Sequence, residues 1–303
     1  MQQQMCYVGQ QHVFEQASEN FVRLTGVSVS AKQIERVCHH YGNLLEEEQQ
    51  QAIEKGGKDK AVKISDPHYV MVDGGMVLTR EEKWKEMKLA RIFKADGVVK
   101  LSKGRGYIAQ SLYVAHLGDH DKFFEKVEYH IDTIANKIVI ADGAKWIWKR
   151  IEANYPDAKQ ILDFYHAKEH LCQFAQISIA DDLQRESWIN QQTDSLMDDA
   201  IEKVIASIKD INIKTQLGRK TKKSLIAYYQ TNAHRMKYKT YRQDGLLIGS
   251  GAMEAAHRHV IQHRLKLSGQ RWTKQGAQKM ANLRVAFKSN QWNHVVELTK
   301  MAA

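Results

Sequence analysis

The amino-acid sequence predicts an α/β fold: a mixed five-stranded sheet with flanking helices, a helical insertion and a small helical region at the N-terminus. Two observations carry that expectation. Helical periodicity through residue 54 gives way at Tyr69 to short β-rich segments. After the fifth such segment, residues 167–236 turn polar and helical with no clear strand pattern.

Taken in order, HVFEQASENFVRLTG reads as an amphipathic helix broken at Gly26. Ser30 can cap a second helix, AKQIERVCHHYGNLLEEEQQQAIEK. Two helices around a short turn resemble a helix-turn-helix, a pattern shared by many helical hairpins. GGKDK, Gly56 to Lys60, reads as a linker. The next strands are YVMVDGG, LARIFKA, GYIAQSLYVAHLG and NKIVIAD, the first three close enough for an antiparallel meander. KGRGY, Lys103 to Tyr107, fits a hairpin turn better than a phosphate loop. DHDKFFEKVEYHIDTIA is helical between the third and fourth strands. AKWIWKRIEANYP follows as a helix stopped by Pro156, with at least one of Trp146 and Trp148 in the core, and AKQILDFYH reads as the fifth strand. GAMEAAHRHVIQHRLKL and TKQGAQKMANLRVAFKSN are the last two helices. This order is consistent with an RNase H-like fold and leaves other mixed-sheet folds open.

At 303 residues, 43% hydrophobic and 26% charged, the chain has the composition of a soluble globular protein with a full core. No apolar run approaches the roughly 18 residues that span a bilayer. MQQQMCYVGQQ lacks the basic and apolar regions of a secretory signal. Cys6, Cys38 and Cys172 are widely separated and odd in number, which points to free thiols in a reducing compartment. The net charge of +10 is unevenly placed. Residues 211–290 carry 17 Lys or Arg against two acids, Asp244 and Glu254, a balance of +15; the remainder carries 28 against 33, a balance of −5. Such asymmetry suggests a polyanion surface in the C-terminal third, or a solvated basic helix face.

Three acidic residues stand out. Asp73 follows Val70, Met71 and Val72, and Asp142 follows Ile138, Val139, Ile140 and Ala141; each then meets a glycine. Gly74 and Gly143 would let the backbone turn away and leave room for a ligand. Singly, an Asp-Gly after a strand is commonly only a turn. Glu254 lies one turn into a helix inside the basic stretch, where helical spacing places His257 and Arg258 on its side. Its carboxylate could answer the helix dipole, or those cations could hold a phosphate near it. Carboxylates from two strands and a helix suit a two-metal site, with ions about 4 Å apart.

FYHAKEHL contains His166, Glu169 and His170 in the inverted zinc-protease order. The alternative places Asp163 and His166 beside the carboxylates, because the motif starts immediately after a strand. A protease would leave Asp73, Asp142 and the basic segment unexplained. Further on, Arg264, Lys266, Arg271, Trp272 and Lys274 cluster ahead of a basic helix, a combination suited to a DNA backbone or an unstacked base. A partly buried core Trp272 is the other reading.

The blocks MVDGG, IVIADGAKWIW, ILDFYHAKEHL and GSGAMEAAHRHVIQHRLKLSGQRW resemble those of bacterial insertion-sequence DDE transposases. The nearest group is the Kra-like one, similar in layout to Mutator-like transposases, and the resemblance runs from about Tyr69 to Asn290. It implies an RNase H-like catalytic domain over residues 66–290, with a helical insertion at about 170–247, a helical region at 1–60 and a C-terminal tail at 291–303. It implies Asp73, Asp142 and Glu254 as the catalytic, metal-binding triad, with Mg²⁺ or Mn²⁺ in a two-metal site. Asp163 and His166 match the position of a Cys-or-Asp, two residues, then His in the Mutator-like pattern. The partners implied are double-stranded DNA, as terminal repeats and target, and a homodimer or higher assembly on it. The compartment implied is a bacterial cytoplasm, at the nucleoid. Relatives of this type carry a longer N-terminal region, whereas about 68 residues precede the core here. A truncated or domesticated derivative that only binds DNA, or a stand-alone nuclease, therefore remains an alternative expectation.

Overall fold

The computed structural model describes residues 1–56, 63–102 and 105–301. The turn expected at Lys103 and Gly104 and the linker residues from Gly57 onward lie outside them. The chain is mixed α/β, with a five-stranded mixed sheet flanked by helices. Among the described residues no helix is long and apolar enough to cross a membrane. Contacts divide it into two compact units: Met1–Lys137 with Ala252–Ala303, and Ile138–Gly251.

The first unit opens with α1 (Gln2–Gln11), α2 (Phe14–Thr25) and α3 (Ala31–Glu54). Gly26 ends α2 at φ 71°, a conformation glycine adopts without strain, and Ser30 caps α3 by accepting from Gln33 N at 3.1 Å. The helix pair expected from sequence is therefore present. It belongs to the same compact unit as the strands that follow. The glutamine-rich α1 was not anticipated, because its apolar periodicity is weak. Where α1 packs on α3, the Cys6 thiol donates to Val37 O at 3.9 Å and that of Cys38 to Met5 O at 3.7 Å; the neighbouring Cys38 thiol and burial raise the Cys6 pKa, and both thiols are free.

β1 (His68–Thr79) and β2 (Lys83–Lys94) pair antiparallel from His68↔Lys94 to Thr79↔Lys83, and β2 pairs antiparallel with β5 (Leu112–Leu117). This is the expected meander, with two changes. β1 and β2 extend into glycine-containing and charged sequence because each satisfies the other's backbone, whatever the local propensity. The stretch expected as one third strand splits into β4 (Arg105–Ile108), which pairs with β3 (Val98–Ser102), and β5. Then come α4 (His120–Ile131), α13 (Lys274–Lys288) and α14 (Trp292–Met301). α14 occupies the expected tail and buries Val295 and Leu298.

α3 packs along α13, and Gly42 sets how closely. A Cβ there would lie 2.2 Å from the Lys279 carbonyl oxygen, and that neighbour is backbone. Gly42→Val is expected to destabilise the protein by roughly 1–3 kcal/mol through overpacking, read as a lower urea midpoint with unchanged m-value.

His116 on β5 supplies a pH dependence. Burial, followed by the charge of Lys126, lowers its pKa from 6.5 to about 4. The folded state therefore binds fewer protons than the unfolded state between these values, so stability falls as pH drops from 6.5 towards 4. The loss attributable to this group is on the order of 2 kcal/mol. The melting temperature of wild type should fall relative to that of His116→Gln across that range; parallel profiles would refute the assignment.

In the second unit, β6 (Lys137–Ala141) and β7 (Lys159–Leu162) run parallel, joined by α5 (Lys145–Asn154). α6 (Phe164–Ser178), α7 (Asp182–Met197), α8 (Ile201–Asp210), α9 (Gln216–Asn232) and α10 (Tyr238–Gln243) form the expected helical stretch. Val204, Ile208, Leu225 and Tyr229 are buried in it, and the Tyr229 hydroxyl donates to Ala167 O at 2.8 Å.

Candidate active site

In the second unit, two carboxylates leave the carboxyl ends of neighbouring parallel strands. Ala141 pairs with Leu162, and Asp163 N donates to Ala141 O at 2.8 Å, so Asp142 and Asp163 follow the same sheet edge. That edge is where open α/β sheets bind ligands. Asp142 is half-buried. Its Oδ1 accepts from Ala144 N at 2.9 Å, and its carbonyl accepts from Trp148 Nε1 at 2.6 Å, which makes Trp148 the core tryptophan of its helix.

Asp163 is fully engaged. Oδ1 caps α6 by accepting from Tyr165 N at 2.7 Å and His166 N at 3.3 Å; Oδ2 accepts from Ser250 N at 3.0 Å and from the Ser250 hydroxyl. It clamps a loop to a helix. His166 lies inside α6 rather than in a strand, with Nδ1 3.8 Å from Glu169, while His170 packs against the Tyr228 ring at 4.7 Å between centroids. The two histidines of HAKEH thus turn to different partners, although the whole motif is helical.

Two features of this edge were not visible in sequence. Tyr228, from α9, lies over Gly143: a Cβ there would fall 2.1 Å from Tyr228 Cε2. The space after Asp142 is therefore filled by a ring. Burial, then the charges of Asp142 and Asp163, raise the Tyr228 pKa. Ser250 is the other, and only its glycine-flanked setting marked it.

In the first unit, Asp73 sits within β1 rather than at a strand end, and its Oδ1 accepts from Gly74 N at 2.7 Å. Neither glycine turns the chain, since β1 continues to Thr79. A Gly74 Cβ would meet the Glu86 carboxylate at 2.2 Å. Gly75 shares the face of Asp73 by strand alternation, and a Cβ there would lie 2.9 Å from His257 Nδ1. The second glycine of the motif thus makes room for His257, whose Nε2 is 3.6 Å from Asp73 Oδ2.

His257 is only 4% exposed, and burial lowers its pKa against the opposing pull of Asp73. It is a neighbour of Asp73, not the phosphate-facing cation expected. Glu254 lies on α11 (Gly251–Ala256), followed by a π-helical turn at His257–Gln262 and then α12 (His263–Leu265). Arg91 Nη1 donates to Ala252 O at 2.7 Å and fastens α11 to β2. Glu254 and Arg258 are exposed, and Glu254 makes no hydrogen bond or ion pair among the described residues.

The DNA-facing expectations divide. Lys266 and Arg271 are exposed. Arg264 is fully buried: its Nε donates to Gly9 O at 2.9 Å and its guanidinium lies 4.6 Å from the Phe14 ring centroid and 4.9 Å from that of Trp272. Trp272 is buried too, donating from Nε1 to Leu265 O at 3.2 Å, so neither can reach a DNA surface in this conformation. Lys274 pairs with Glu82, whose pKa that contact, together with Lys85, lowers to about 2. Arg235 and Arg284 are buried as well, so part of the C-terminal positive charge is internal.

The chain is similar to a Streptococcus gallolyticus protein described as "UPF0236 protein in vanSb 3'region". The two are 24% identical over 288 residues, covering 90% of this chain and 60% of that protein. The chain therefore spans less than two thirds of that relative's length. A match to the UPF0236 family, described as an uncharacterised protein family, runs over residues 8–301, and the chain belongs to that family.

Proposed function

We propose that the protein is a DNA strand-cleaving and strand-transferring enzyme of the DDE transposase type, acting on double-stranded DNA through Asp73, Asp142 and Glu254. The observation that carries this reading is Glu254. Glu254 is an exposed carboxylate in a segment rich in Lys and Arg, and among the described residues it makes no hydrogen bond or ion pair, which leaves its oxygens open to a cation. Asp142 adds a half-buried carboxylate at a sheet edge, with Ala144 N as its one donor among the described residues. Such a donor set, all carboxylate oxygens, suits Mg²⁺ or Mn²⁺ better than zinc. Those ions, when bound, supply an activated water or hydroxyl and stabilisation of the leaving oxygen.

The chain's own residues have distinct tasks in this reading. Asp142 is aimed by the Ala144 amide and by the strand that precedes it. Asp163 holds Ser250 and the first turn of α6, keeping that sheet edge fixed. His257 flanks Asp73 from a site that Gly75 leaves open.

The test incubates the protein with a labelled duplex carrying the ends of its element, in Mg²⁺, Mn²⁺ or EDTA. Metal-dependent nicking followed by joined products is the expected result. Nicks without joining would make it a nuclease. Binding without nicking would leave a DNA-binding derivative, and no binding would remove the reading altogether.

A further inference from the structure

In the first unit a cleft of about 320 Å³ opens between the start of α2, the first half of α3 and the loop leading to α13. Three guanidinium groups line it. Arg80 and Arg271 are exposed at its rim, and Arg264 is buried behind them between the rings of Phe14 and Trp272.

Arg264 is an unusual lining residue. Nε is satisfied by Gly9 O, and Nη1 meets the Gln270 amide oxygen at 3.0 Å in the orientation that suits both. Among the described residues Nη2 has no hydrogen-bond partner, and neither does Nε2 of His39, which lines the same cleft. Burial lowers the Arg264 pKa to about 10, which still leaves it charged at neutral pH. Among the described residues no carboxylate pairs with it.

Glu15 favours the Arg264 charge without pairing with it among the described residues, and Glu35 lies 4.0 Å from His39 Nδ1. Glu15 is exposed, and Glu35 is held by Lys32 at 2.7 Å. An unpaired buried cation is costly unless an anion approaches it. Guanidinium forks match the oxygen geometry of phosphate.

We propose that this cleft is a phosphate site, gripped by Arg80 and Arg271 with Arg264 supplying charge from behind, and that the phosphate is one of a nucleic-acid backbone. The backbone source rests on the duplex binding that the proposed function requires; phosphate binding itself does not, and neither needs the strands to be cleaved. Arg80 lies about 23 Å beyond Asp73 at the ~3.3 Å per residue of an extended strand. A duplex engaged at Asp73 would therefore have its backbone within range of the cleft.

The test uses the full chain and an Arg80→Ala/Arg271→Ala variant, with Arg23→Ala/Lys149→Ala as a control of equal charge loss. Duplex affinity is measured from 50 to 200 mM salt, and melting temperature is measured with and without inorganic phosphate at matched ionic strength. The cleft variant is expected to bind duplex about tenfold more weakly, with its log–log salt slope shallower by about 2, and the control should change far less. If inorganic phosphate instead raises the melting temperature of wild type but not of the cleft variant, with duplex binding unchanged, the site takes a free phosphate and the backbone assignment falls. Equal effects of the two variants on DNA, with no phosphate-dependent shift, would overturn the site. Because the assay reads binding alone, a failure of cleavage does not affect its outcome.

Discussion

Asp142→Asn is expected to lower metal-dependent strand cleavage by about a thousandfold while leaving duplex affinity within about twofold. The substitution is chosen to separate charge from shape. An asparagine oxygen can still accept from Ala144 N, so the turn after β6 keeps its hydrogen bond. What disappears is the negative charge that would hold a divalent ion. Asp73→Asn should behave in the same way. Asp163→Asn should not, because both oxygens of Asp163 already serve amide and hydroxyl donors. Asparagine keeps an oxygen for the α6 cap but puts an amide donor where Ser250 N needs an acceptor, so the loss should appear as a destabilisation of about 1–3 kcal/mol, read as a lower melting temperature. Undiminished cleavage in both the Asp142 and Asp73 variants would refute the triad.

The second large effect is structural. Arg284→Leu is expected to destabilise the protein by on the order of 4 kcal/mol. Arg284 is buried on α13 and donates from Nε to Val260 O at 3.1 Å, from Nη2 to His259 O, and from Nη1 to Gln10 Oε1 at 2.8 Å. Two of these acceptors are carbonyls of the π-helical turn. Leucine would leave Val260 O and Gln10 Oε1, both buried, without this donor, at about 1–3 kcal/mol each. Lysine keeps the charge but cannot present a planar fork, so Arg284→Lys should recover only part of the loss. Thermal unfolding would show a fall of roughly 10 °C for the leucine variant. A change under 1 kcal/mol would mean that water or a backbone shift satisfies the turn.

Much of the fold is legible in the chain because it is written locally. The Ser30 cap, the Gly26 stop and the β-branched runs before Asp73 and Asp142 each act within a few residues. The long-range choices are less accessible. Nothing near Gly75 announces that its missing side chain accommodates His257, and nothing near Gly143 announces Tyr228. Arg264 and Trp272 show the main error of reading charge as surface. Sequence displays a cation and an aromatic ring side by side, a pattern that serves a DNA groove and a buried cation–π contact equally well. Only the arrival of Gly9 and Phe14 from the N-terminal helices separates the two. The same holds for the extent of β1 and β2, whose charged and glycine-containing portions are strand because of their partners.

The first unit is made of two stretches of chain, with the whole second unit inserted between them. On a ribosome adding about 5–20 residues per second, the interval between Lys137 and Ala252 lasts roughly 6–23 s. For that time α3 exists without α13, and the contact at Gly42 cannot form. The inserted unit can close first, while the nascent first unit stays open and available to chaperones. The order of synthesis thus makes the last helices the step that completes the older part of the molecule.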